Sequence, residues 1–386
     1  MSRDTRFKIE QLAYLLLLTQ YVRTFNLTGP VKYLVPLVLS LIFLLFGKER
    51  IRLSNAGILV PGAVYIVLGL VSCAASEYWG HFTVKTAGLI FIPSFCALIL
   101  YERVFDRDID ICKTLFLAFA LYNSAFFSLY PFSVIIEANR ALPYGLFIIY
   151  FLINEDWDYC ALAFFFCFIS HKRITLLGVG GVLFFILAVT LLNKFCRTDK
   201  KKIYTVTAAV SVAAAYLIAY LIHSGKLIEL LDSVNVYAMG RAVIWKVFRD
   251  FADFNIGFTG RGLGYVMSRL DELRVFMREG AWFGNLHSDF YVGYIELGFI
   301  GFGVWIASYF PSYYSLTQNP DRDSRAEIFT LAAIIYTFIL FLTDNPLIYI
   351  EYWFPMNLML LSMANRHSGE RERYLYNQYR AANETI

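Results

Sequence analysis

Charge is what this sequence is short of. Acidic and basic residues make up only 17% of its 386 residues, against roughly 25% in a typical soluble domain. With 58% hydrophobic residues beside them, a water-soluble globular protein is a poor fit. Cysteine is sparse too. Cys73, Cys96, Cys112, Cys160, Cys167 and Cys196 form no Cys-x-x-Cys pair, so neither a zinc site nor a disulfide framework is indicated. The net charge of +4 is what cations facing anionic lipid produce, and it gives no reason to invoke nucleic acid. No internal repeat is visible. The first apolar run follows Arg3, Arg6 and Lys8 but lacks a small-residue cleavage site, so it reads as a retained helix rather than a signal peptide.

Long apolar runs are what the sequence has in plenty. They approach the ~20 residues that cross ~30 Å of hydrocarbon. In lipid each run must satisfy its own backbone hydrogen bonds, so each is predicted to be helical. Twelve spans are expected, near 9–25, 31–46, 56–76, 84–101, 111–134, 142–154, 157–170, 174–193, 203–222, 289–311, 327–343 and 346–364. The sixth and seventh are short, and a tilted or re-entrant pair fits them as well. The fold class is all-α: a polytopic membrane helix bundle of about 12 transmembrane helices, forming one integral membrane domain over residues 1–386.

Orientation follows from the cations. With the N-terminus inside, about twenty lysines and arginines fall in cytoplasmic segments and about six in short external ones, a positive-inside bias. Lys200, Lys201 and Lys202 would be stranded outside by the inverse arrangement. Both termini are therefore expected in the cytoplasm.

One connection stands apart. From 223 to 288 the hydropathy collapses, and a loop of that length is usually functional. Ile244, Val247, Phe248 and Phe251 recur at helical spacing, as do Leu263, Val266, Met267, Leu270, Leu273 and Met277. Two amphipathic helices are predicted, lying on the membrane surface or capping the bundle. Between them runs Gly257-Phe-Thr-Gly260-Arg-Gly262-Leu-Gly264. Such a turn can present N–H groups to a phosphate. No strand precedes it and no Lys-Ser/Thr follows, so a plain turn joining two surface helices suits it better.

Several polar residues on the external side need a reason. Lys172 and Arg173 sit in a very short link between apolar helices, Arg241 opens the first loop helix, and Arg140 follows a short external stretch. Each alone also reads as an interfacial anchor or a solvated charge. His287 ends the large loop within Asn285-Leu-His-Ser-Asp289, where a capping role is open to it and its neighbours. His81, His171 and His223 share that side. Taken together, these residues put arginines and a titratable base on one membrane face. Arginine forks match phosphate oxygens at any physiological pH, and a histidine supplies general-base catalysis worth roughly 10²–10⁴-fold. Such a site suits displacement of a diphosphate by an alcohol, with a polyprenyl-linked sugar as donor. The acidic pairs at Asp106-Arg-Asp108 and Asp156-Trp-Asp158 fall on the cytoplasmic side, so no metal is expected to help.

The stretches Gly240-Arg241-Ala-Val-Ile-Trp245, Gly260-Arg-Gly-Leu-Gly264, Leu286-His287-Ser-Asp-Phe290 and Glu296-Leu-Gly298-Phe-Ile-Gly301 together resemble the O-antigen ligase and Wzy-type polysaccharide polymerase family. The resemblance covers mainly residues 170–301, and His-Ser stands where the family more often has His-Asn. It implies a bacterial inner-membrane glycosyltransferase that needs neither metal nor cofactor. The donor and acceptor it implies are undecaprenyl-diphosphate-linked oligosaccharides, with a chain-length regulator as a further partner. Carried across, the base is His287, and the diphosphate is held by Arg173 and Arg241, with Arg140 and Lys172 beside them. Gly298 and Gly301 also read simply as helix-packing positions. The expected function is repeat-unit polymerisation on the periplasmic side, in the making of O-antigen, capsule or exopolysaccharide. An O-antigen ligase acting on lipid A-core shares the chemistry, and a lipid-linked oligosaccharide flippase is the alternative of a different class.

Overall fold

A computed structural model describes residues 31–46, 51–103, 110–129, 141–170, 172–196, 200–233, 241–276, 285–318 and 324–365. Among these residues every regular element is a helix. In chain order they are α1 (Val31–Phe46), α2 (Val60–Ser76), α3 (His81–Arg103), α4 (Ile111–Leu129), α5 (Leu142–Ile153), α6 (Trp157–Ile169), α7 (Arg173–Cys196) and α8 (Lys200–Ser224). Then come three short helices, α9 (Lys226–Ser233), α10 (Arg241–Arg249) and α11 (Tyr265–Phe276), before α12 (Asp289–Leu316), α13 (Ser324–Phe341) and α14 (350–365). A 3₁₀ segment, Leu53–Leu59, leads directly into α2. The first expected span at 9–25, Arg140, His171 and the basic tail beyond residue 365 lie outside the described residues.

Among the described residues, six helices have the length and composition to cross a membrane: Leu53–Ser76, His81–Arg103, Arg173–Leu191, Lys201–Ser224, Asp289–Leu316 and Ser324–Phe341. The shorter apolar helices differ in kind. α5 has only 12 residues, about 18 Å at 1.5 Å per residue, and is buried from Leu142 to Phe151. It is a core helix. Its neighbour α6 turns Phe164, Phe165 and Phe168 outward, an apolar face that suits lipid contact.

α12 and α13 form the centre, each with 67% of its most apolar window buried, against 22% in α7 and 28% in α8. α12 packs chiefly on α2 and α8, and α13 on α7 and α5. Small residues permit the closest approaches. The Tyr336 ring of α13 lies against Gly145 of α5 and Gly178 of α7, where an added Cβ at Gly178 would sit 2.6 Å from it. Its hydroxyl donates to the Leu142 carbonyl at 2.7 Å. Outside this core, α7 and α8 expose Leu177, Phe184, Val206, Val210 and Leu217. A helical bundle with apolar outer faces is consistent with a bilayer setting, where helices satisfy their own backbone hydrogen bonds.

Candidate functional site

The site lies where α12 begins and α13 ends. Two turns interlock there. Asn285–Asp289 precedes and opens α12, and Thr343–Leu347 links α13 to the 3₁₀ turn Pro346–Ile348. The Asp289 carboxylate, 1% exposed, accepts from Asn345 Nδ2 at 2.9 Å and from the Leu347 N–H at 2.7 Å. Asn345 Oδ1 in turn accepts the His287 N–H at 2.8 Å. Asp289 N donates to the Asp344 carbonyl, and Ser288 Oγ to that of Phe341. Ser288 also caps α12, accepting from the Tyr291 N–H. His287 itself has φ 57°, a left-handed conformation that costs a non-glycine residue roughly 1–2 kcal/mol. The surrounding bonds hold it there.

Cations reach this double turn from two other elements. Lys172, just ahead of α7, places Nζ 2.6 Å from Asp344 Oδ2 in a pair whose side chains are 13% and 6% exposed. Arg241, the first residue of α10, donates from Nη2 to the Thr343 carbonyl at 3.1 Å. Trp245, one turn along α10, donates to the Leu286 carbonyl at 2.8 Å and so pins that helix to the histidine turn. Around the half-buried imidazole, loss of hydration and the positive charges of Arg241 and Lys172 push the His287 pKa below 6.5, with Asp344 opposing them. The imidazole is therefore neutral at pH 7, the form that accepts a proton.

The structure thus brings His287, Arg241 and Lys172 together. Arg173 is exposed on the first turn of α7, and it is Lys172 that reaches Asp344. Among the other histidines, His223 faces the Tyr291 hydroxyl at 3.3 Å and His81 packs on Phe82. Sequence reasoning misses Asp344 and Asn345. Their signal is an acid in a tight link between apolar runs, which counts as a functional pointer by itself.

The glycine-rich stretch has a different job from holding phosphate. Gly298 breaks α12 with φ 74° and ψ −178°, a region essentially reserved for glycine. The carbonyls freed before the break are taken by this stretch: Arg261 N donates to Ile295 O at 2.8 Å and Gly262 N to Glu296 O at 3.0 Å. Phe299 N, beyond the break, donates to Phe258 O at 2.8 Å. Cβ atoms at Gly260 or Gly298 would collide with the opposing backbone. The loop is a plug, and its N–H groups at 261 and 262 are occupied by the helix. The buried Glu296 carboxylate accepts from Tyr65 OH at 3.0 Å and from the Val266 N–H at 3.2 Å. A carboxylate at the N-terminus of α11 is favourably placed against that helix's dipole. So held, α11 roofs a cavity lined by Met267, Leu270, Leu286, Asp289, Glu296 and Asn345. Its lining is mostly apolar, with Asp289, Glu296 and Asn345 among the polar residues that border it.

Chemically, the cluster offers a neutral base beside two fixed cations, at one end of the bundle and next to a partly apolar cavity. Compared with known proteins, the chain matches no family model, no curated protein and no solved structure.

Proposed function

We propose that the chain is a metal-independent, polyprenyl-diphosphate-dependent glycosyltransferase that polymerises lipid-linked oligosaccharide repeat units at the outer face of a bacterial inner membrane. One observation carries the reading: groups from three distant parts of the chain meet on the 343–345 link, where Arg241 donates to the Thr343 carbonyl, Lys172 pairs with Asp344 and the His287 N–H donates to Asn345. The sequence resemblance supplies the substrate class.

In this reading a sugar hydroxyl of the acceptor attacks the anomeric carbon of the donor. The new C–O bond forms as the bond to the diphosphate breaks. His287 takes the hydroxyl proton, and the diphosphate leaves with its electron pair onto Arg241 and Lys172, stabilised by charges already in place. Arg173, at the rim of the same end, is assigned to the distal part of the anion, and Arg140 to the same role. The cation bias of the sequence sets the sidedness, with both termini cytoplasmic and the site periplasmic.

A transporter reading draws support from the broken α12 and from Glu296 buried beside the break, both features of transport sites. Two facts weigh against it. Glu296 is the eighth of the 28 residues of α12, about 10 Å from its start and so well short of the middle. The carbonyls freed at the break are also filled by the chain's own loop, rather than left to coordinate an ion.

The deciding experiment incubates purified protein in vesicles with a polyprenyl-diphosphate-linked repeat unit, with and without lipid A-core. A ladder of lengthened lipid-linked glycan in both arms supports polymerisation. Product only on lipid A-core replaces it with ligation, and movement of intact substrate across the bilayer without product replaces it with flipping.

A further inference from the structure

We propose that Asp289 and Asn345 are a positioning pair, whose side-chain hydrogen bond holds the His287 backbone in its left-handed turn, beside the link where Arg241 meets Thr343 and Lys172 meets Asp344. The inference rests on the functional reading above for its kinetic arm only.

The geometry is a relay. Both Asp289 oxygens are engaged, one by Asn345 Nδ2 at 2.9 Å and one by the Leu347 N–H at 2.7 Å. This fixes the Asn345 amide so that Oδ1 points at the His287 N–H, 2.8 Å away. The Asn345 N–H meanwhile donates to Asp344 Oδ1 at 2.9 Å, and Asp344 Oδ2 holds Lys172. The buried side-chain amide of Asn345 thus sets the place of the base, while its backbone N–H steadies the Asp344 carboxylate that holds a cation. Asp289 and Asn345 are 1% and 3% exposed, and the φ of 57° at His287 gives its backbone a reason to relax once released.

Donor and acceptor counting makes the pair testable by exchange. In Asp289→Asn, only one oxygen remains at position 289 for two donors, so an N–H is left facing an N–H. In Asn345→Asp, two carboxylates face each other. With both exchanges made, the carboxylate now at position 345 would accept from the His287 N–H and from the amide now at position 289. The oxygen of that amide accepts from the Leu347 N–H. Every bond is recovered.

The test measures both single variants and the double in vesicles. It reads kcat and KM on the lipid-linked repeat unit, and the His287 titration by NMR of histidine-labelled protein without substrate. Each single variant is expected to lose roughly 10–100-fold in kcat, as for displaced catalytic groups, with KM changed by less than about 3-fold. Its imidazole should titrate closer to 6.5 as it leaves Arg241 and Lys172. The double variant should recover both readouts, the reciprocal signature of a coupled pair. Single variants with wild-type kcat and titration overturn the proposal, as does a folded double variant no better than the worse single. Where wild type itself shows no turnover, the functional reading fails and the titration alone decides the pair.

Discussion

Lys172 and Asp344 lie 2.6 Å apart in a buried ion pair, one contributed by the link before α7 and the other by the link after α13. Asp344 is adjacent in sequence to Asn345, the residue that receives the His287 N–H. The pair therefore ties together a cation, an acid and the turn carrying the base.

Replacing Asp344 with Asn removes one partner and leaves Lys172 buried. Breaking such a pair costs about 3–5 kcal/mol, so a clear drop in Tm is expected for the purified protein. Asp344 is also the group that opposes the lowering of the His287 pKa, so in this variant the imidazole should titrate lower still.

Activity should depend on pH through the same imidazole. Its pKa is lowered by burial and then by Arg241, so the base is mainly neutral at pH 7. Turnover should fall only as pH drops below 6.5 and the ring takes up a proton. Since the folded state holds the proton less tightly than the unfolded chain, stability falls over the same acid window, beginning near the unfolded value of about 6.5. In Arg241→Gln a cation is gone, and the acid limb of the pH–rate profile should move upward towards 6.5. A limb that stays in place would separate Arg241 from the base.

The plug in α12 makes a prediction about folding rather than chemistry. In Gly298→Ala the backbone must adopt a conformation that costs roughly 1–3 kcal/mol for a side-chain-bearing residue, and the new Cβ meets the backbone of Thr259 and Gly260. Tm should fall, and protease should cut sooner between α10 and α11. Gly301→Ala, whose Cβ would meet Leu297 at 3.2 Å, should be the milder change.

Much of this architecture is legible in the sequence, for an identifiable reason. Long apolar runs set helices at 31–46, 142–153, 157–169 and 289–316 nearly where the pattern puts them, because each needs only its own backbone bonds. What escapes is anything made by two distant segments. Periodicity reads α12 as one helix, so neither its break at Gly298 nor the loop that fills it is visible from spacing. Of the stripe drawn by spacing, Ile244 and Phe248 are buried while Val247 and Phe251 are half-buried, and Trp245, outside that stripe, completes the buried face of α10. His287, Arg241 and Lys172 are readable as polar residues on one face. Asp344 and Asn345 read as a mere link, and only the fold shows them as the histidine turn's other half.

The central claim is most directly tested by replacing His287 with Ala and following glycan transfer by the purified protein at neutral pH. The account predicts loss of roughly 10²–10⁴-fold in turnover, with insertion, Tm and substrate binding close to wild type. Wild-type product lengths at a wild-type rate from that variant would contradict it.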